Sequence, residues 1–204
     1  MSVIRPFRAL PPINRKEYNY DFVDYMWYKG LFNPAEVDKV RSLWNPEKMI
    51  DAQVNSGEKD VKRNDLRNSE IMFIAADKNN DWIYEKLSLA CIQANSNRYK
   101  FDITGFQTEL QLANYGIRNF FEWHMDFGTG DLSNRKLSIT VQLSDPDEYE
   151  GGELQFMINQ NIFTATKEKG TAIIFPSFAL HRVTPITKGT RKSIVGWISG
   201  TPYR

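Results

Sequence analysis

The chain of 204 residues is short of several things. It has two histidines and a single cysteine, and no stretch of 18 apolar residues occurs anywhere. Charge of one sign is missing too: 26 Lys and Arg stand against 25 Asp and Glu, so no global field favours nucleic acid or an anionic membrane. The lack of a long apolar run argues against a membrane-spanning helix, and MSVIRPFRALPPINRKEY lacks the apolar centre of a secretory signal. With Cys91 alone, neither an internal disulfide nor a thiolate metal site can form, which fits a reducing compartment. The expectation is a soluble, cytoplasmic protein with no membrane partner and none among nucleic acids. No repeat, low-complexity tract or Pro/Gly/Ser linker divides the chain, so residues 1–204 read as one domain.

What is present is patterned. In LFNPAEVDKVRSLW, Asn33 is a helix cap, Pro34 the first helical residue and Glu36 its capping-box partner, while Val37, Val40 and Leu43 share one face. A second helix is predicted from about Asn80 to Asn95, with Trp82, Ile83, Leu87, Ala90 and Cys91 at helical spacing. These put a helical part at about 20–100. From about 101 to 202 the pattern changes to short alternating segments: TELQLANY, RKLSITVQLS, GELQFMI, NIFTATK, GTAIIF, ALHRVTPI and TRKSIVGWIS each read as a strand. The fold class is mainly β with flanking helices, a sandwich or jelly roll with the helices packed outside. In LSITVQL, Leu137, Ile139, Val141 and Leu143 share one face and Ser138, Thr140 and Gln142 the other, so one side packs and the other can line a polar cavity.

The histidines sit where such a cavity would use them. In FFEWHMDFGTG, His124 and Asp126 are two residues apart, and in an extended segment both point the same way. The second histidine, His181, falls near the end of a later strand. Two imidazoles and one carboxylate make the facial triad that suits Fe(II) and leaves three coordination positions open; zinc is the chief alternative. A His-x-Asp alone is common by chance, and a lone histidine in an apolar strand is more often a core residue. Ten positions after His181 stands Arg191, which on a strand shares its face with Ser193 and Trp197; a guanidinium beside a hydroxyl is suited to a carboxylate. Tyr115, on the same face as Gln111 in its own strand, can add a phenol.

Taken in order, YGIRNFFEWHMD, EGGELQF and FPSFALHRVTPITKGTRKSIVGW resemble the Fe(II)/2-oxoglutarate-dependent dioxygenases of the prolyl 4-hydroxylase-like group, including its PKHD-type relatives. The resemblance is clearest from about Gln111 to Trp197. It implies a double-stranded β-helix, with His124, Asp126 and His181 as iron ligands, Arg191 and Tyr115 on the distal carboxylate of 2-oxoglutarate, and Ser193 beside them. It also implies O2 as cosubstrate, succinate and CO2 as coproducts, and ascorbate as a reductant that keeps the iron in use. Asp126 favours hydroxylation, because related halogenating enzymes carry a small residue there. Arg118 departs from the group, which often has glycine at that place.

The resemblance points to a prolyl residue in a protein or peptide as substrate. Hydroxylation of a free amino acid or other small molecule is the alternative, and a jelly-roll binding module without catalysis is the reading from another class. Nucleobase demethylases resemble this group but carry a second arginine six residues after the first, where this chain has Trp197. Gln111, Trp197 and Arg67 are candidates for the substrate pocket. The polar segment SGEKDVKRNDLRNSE, with Lys59, Lys62, Arg63 and Arg67, reads as a lid over the site, with Asp131, Asn134 and Arg135 on the opposite rim. Because ligating imidazoles must be neutral, metal affinity is expected to fall as pH drops through about 6 to 6.5.

Overall fold

A computed structural model describes residues 25–55, 60–61 and 65–203. Its frame is a large antiparallel sheet whose strands run, in spatial order, Met26–Tyr28, Ala172–Pro176, Arg135–Gln142, Arg191–Gly200, Leu110–Tyr115, Glu70–Ile74 and Ile50–Asp51, with Ile103–Phe106 also pairing onto Arg191–Gly200. A smaller antiparallel sheet runs Asn161–Thr164, Leu154–Ile158, His181–Val183, Phe120–His124 and Arg67–Asn68. The seven strand segments read from alternation are all present. ALHRVTPI, however, is two strands, His181–Val183 and Ile186–Gly189, the second pairing with Tyr149–Gly151.

The stretch expected to be helical supplies more than helices. Met26–Tyr28, Ile50–Asp51 and Glu70–Ile74 extend the large sheet on both sides, and Arg67–Asn68 the small one. Two- and three-residue strands leave too few positions for an alternation to show, and they are specified by what they pair with.

The two helices do pack outside. Pro34–Arg41 begins with the expected capping box: Glu36 N donates to Asn33 Oδ1 at 3.0 Å and Asn33 N to Glu36 Oε2 at 2.8 Å. Asp81–Ala94 has no side-chain cap at Asn80 and ends in a π turn, Asn95–Tyr99. It is tied to the sheet through Tyr84, whose hydroxyl donates to Ile74 O at 2.6 Å and accepts from Leu110 N at 2.9 Å.

Strand alternation sorts the core in two. Leu110, Leu112, Leu137, Ile139, Val141, Ile174 and Ile194 face the helices and pack with Val37, Val40, Ile83, Leu87 and Cys91. The next residues along the same strands, Ala113, Tyr115, Ile173 and Phe175, face the small sheet and pack with Leu154, Phe156 and Val183. The large sheet is therefore buried on both faces, and the polar residues of its second face must find partners inside the molecule.

Candidate metal centre

The small sheet brings the histidines together. His181 and His124 are direct partners across antiparallel strands, and a bulge between this rung and Val183–Phe121 leaves Phe121 and His124 on the same side. Their rings stack at 3.4 Å between centroids, and the two imidazoles lie 4.2 Å apart. Each Nδ1 lies against a backbone carbonyl, His124 with Glu122 O at 2.7 Å and His181 with Ala179 O at 2.8 Å. An Nδ1–H donating there leaves the Nε2 lone pair free, and both Nε2 atoms point at Asp126, at 3.7 Å from Oδ1 and 3.6 Å from Oδ2.

Asp126 follows the end of its strand and is held by backbone and side chain alike. Its N–H and that of Phe127 donate to Ser177 O at 2.8 and 2.9 Å, and Ser138 Oγ donates to Oδ2 at 2.6 Å. Burial alone would raise the Asp126 carboxyl. His181, His124, the Arg135 guanidinium and the Ser138 hydrogen bond outweigh it and hold the group below the ordinary carboxylate range. Burial, reinforced by His181, pushes the His124 imidazole down to about 3. A pH of 6 to 6.5 for the loss of metal affinity is therefore not set by His124, which stays neutral well below it. Two imidazole nitrogens and a carboxylate oxygen, all within 4.8 Å of one another, form a donor set that could hold a divalent ion.

Deeper between the sheets lies Arg191, which is only 2% exposed. It is the direct cross-strand partner of Tyr115, whose ring lies 5.5 Å from its guanidinium carbon. Nη2 donates to Gln142 Oε1 at 3.0 Å and Nη1 to Ser193 Oγ at 3.4 Å, while Nε has no partner. The hydrogen bonds of Arg191 go to neutral side chains, and no carboxylate among the described residues pairs with it. Gly152 makes room for it: at φ +61° this residue adopts a left-handed conformation, and a Cβ there would meet Arg191 Cδ at 3.2 Å and collide with Ile186. Gln142 was visible in the sequence only as part of a polar face; that it holds the arginine follows from strand register.

Two cavities meet at the triad. The inner one is lined by Tyr115, Thr140, His181, Arg191 and Ser193; the outer one is an open cleft of about 990 Å³; and both touch Arg67, Phe121, His124, Asp126 and Trp197. Gln111 lines the outer cleft, as do Asp131, Asn134 and Arg135 on the expected rim. Arg135 lies over the Trp197 ring at 4.0 Å and donates to Gln107 Oε1 at 2.5 Å. Arg67 departs from the loop reading. It is buried in a strand, donates from Nε to Ser69 Oγ at 3.0 Å and lies 4.7 Å from the Phe121 ring centre, so it is a wall residue instead of a lid cation. Lys59, Lys62 and Arg63 lie outside the described residues. Arg118, the departure from the family pattern, sits at φ 68°, in the left-handed region where glycine is at ease.

Residues 110–199 match the family model of the 2OG-Fe(II) oxygenase superfamily, a stretch that contains the triad and Arg191. A PKHD-type hydroxylase of Synechococcus sp. (strain CC9902) is 42% identical over 78 residues, which are 38% of this chain and 35% of that protein. The chain thus spans about a third of that relative's length. Another PKHD-type hydroxylase, from Paraburkholderia xenovorans (strain LB400), is 27% identical over 183 residues, 83% of this chain and 75% of the relative. Among solved structures, a prolyl hydroxylase from Trichoplax adhaerens, in complex with a hypoxia inducible factor peptide fragment, superposes with a TM-score of 0.72 at 16% identity. It covers 87% of this chain and 84% of that one. The resemblance seen in the ordered motifs is thus found again, by sequence and by fold. Among the described residues no helix is long and apolar enough to cross a membrane.

Proposed function

We propose that this chain is an Fe(II)- and 2-oxoglutarate-dependent hydroxylase of double-stranded β-helix fold, acting on a prolyl residue in a protein or peptide. The observation that carries this reading is the pairing of a two-imidazole, one-carboxylate cluster with a buried, acid-free arginine in one continuous inter-sheet space. His124, Asp126 and His181 would hold the iron, and Arg191, with Ser193 and Tyr115 beside it, the far carboxylate of 2-oxoglutarate. Bound there, these groups supply the oxidising chemistry that turns 2-oxoglutarate and O2 into succinate and CO2 as a hydroxyl enters the substrate.

The protein's own contribution is orientation and exclusion. Ser138 and the Ser177 carbonyl fix the carboxylate, and the Glu122 and Ala179 carbonyls fix the tautomers. Leu154, Phe175 and Val183 give the inner cavity an apolar wall that keeps bulk water away from the charged groups. The outer cleft presents the substrate to the open side of the triad. The relatives' naming as PKHD-type hydroxylases supports hydroxylation, and the peptide held by the Trichoplax enzyme supports a peptide substrate. The buried lone Cys91 supports a reducing compartment such as the cytoplasm.

An anaerobic titration with Fe(II) and 2-oxoglutarate tests the reading. A visible metal-to-ligand charge-transfer band is expected in the wild type and not in His124→Ala; a wild type without the band would leave the binding-module reading. Succinate release stimulated by proline-bearing peptides, and not by free amino acids or methylated oligonucleotides, then fixes the substrate class.

A further inference from the structure

The outer cleft carries an apolar patch on the outermost strands of the large sheet. Ile50 and Ile71 are direct partners across the outermost strand pair of the large sheet, so they share a face, and Phe73, two residues on from Ile71, shares it as well. All three line the cleft, with Leu66 and Phe121 beside them. Ile71 is buried, but Ile50 and Phe73 are 50% and 44% exposed, although they stand on a sheet whose other large side chains are mostly covered. The rest of the lining is mixed, with Thr104, Gln107, Thr108, Asp131 and Arg135 interspersed with Leu132, Trp197 and Pro202.

Single exposed apolar residues need no explanation, but two on one rung-aligned face, turned into a cavity that reaches the metal cluster, form a patch with a direction. At about 990 Å³ the cleft stands at the upper end of the volumes that single small ligands fill. A free amino acid held at the triad would leave Ile50 and Phe73 in water.

We infer that Ile50, Ile71 and Phe73 form an apolar subsite that reads the substrate away from the reacting carbon. The cleft therefore takes an extended peptide with a large aliphatic or aromatic side chain flanking the modified residue and polar groups turned toward Gln107 and Arg135. This rests on the hydroxylase reading only in that the modified residue is placed at the triad; the subsite itself is a binding property of the cleft.

The test is a binding measurement with proline-centred alanine heptapeptides, each carrying one leucine at a different flanking position, against the all-alanine parent. At one or two positions leucine should tighten binding by about tenfold, the effect of burying one aliphatic side chain. The double variant Ile50→Ser, Phe73→Ser should erase that gain, so that the leucine peptides and the all-alanine parent bind alike. Both side chains are half exposed, so the substitutions spare the fold, and an unchanged charge-transfer band with Fe(II) and 2-oxoglutarate checks this in the same sample. Equal binding of all peptides, no binding of any, or a leucine preference that survives the double variant would overturn the subsite. Loss of the band in the wild type would instead overturn the dioxygenase reading and leave the binding result standing.

Discussion

Along the central strand Arg135–Gln142, the two faces of the large sheet are equally dry and chemically opposite. Leu137, Ile139 and Val141 point to the helices at 0–1% exposure, and Ser138, Thr140 and Gln142 point to the small sheet at 1–6%. The helix side needs only volume and shape. On the site side every one of the three polar groups has an assigned partner: Ser138 donates to Asp126, Thr140 to Ile194 O, and Gln142 to Thr166 O while accepting from Arg191. Polarity here is not a sign of solvent. It is a network in which a group left unmatched costs about 1–3 kcal/mol, and unpartnered atoms, Arg191 Nε among them with Gln111 Oε1, Tyr149 OH and Trp197 Nε1, cluster on this site side.

The comparison breaks most sharply through the cluster of His124, Asp126 and His181. Asp126→Ala or His124→Ala should lower succinate release by more than about a thousandfold, because the facial donor set cannot be completed by two groups. On the other face Ile139→Ala should do the reverse: about 2–5 kcal/mol off the unfolding free energy in urea, with the charge-transfer band kept wherever the protein stays folded. If Ile139→Ala lost iron binding in the folded state, the separation of the two faces would not hold. A smaller effect is expected at Arg191→Met, which keeps apolar bulk and removes the charge. Half-saturation by 2-oxoglutarate should rise about 10- to 100-fold with iron binding retained.

The smallest effect is pH-dependent and concerns the metal-free protein. His124 is held at about 3 when folded against 6.5 for the free side chain, so between these values the unfolded chain binds one more proton than the folded one. Stability should therefore be lost as pH falls below about 6.5, by up to about 1.4 kcal/mol per pH unit from this group. Denaturation at pH 7, 6 and 5 in a chelator, compared with His124→Gln, isolates the contribution; a wild type as pH-insensitive as the variant would count against it.

What the sequence made legible follows the same division. The helix-facing stripe of LSITVQL, the shared direction of His124 and Asp126, and the spacing from His181 to Arg191 are local patterns, and local patterns survive in one dimension. The groups that complete the site do not. Ser177 lies 51 positions from Asp126 and Gln142 lies 49 from Arg191, joined only by strand pairing. Arg67 looked like a loop cation because its neighbours are polar. Its burial comes from Phe121, a partner on another strand. Ile50 and Phe73 gave no sign at all, since their strands are too short or too far apart to show a common face.

The rung that joins His181 to His124 also bears on how the small sheet forms. Side-chain direction alternates at every residue, so a slip of one place would turn one imidazole to the opposite surface and dismantle the cluster. The two strands involved have only three and five residues, little in themselves to choose among pairings. A divalent ion that binds only the correct rung would favour that pairing among the competing ones, by an amount that grows with its concentration. The site would then help to proofread the assembly of the sheet that carries it.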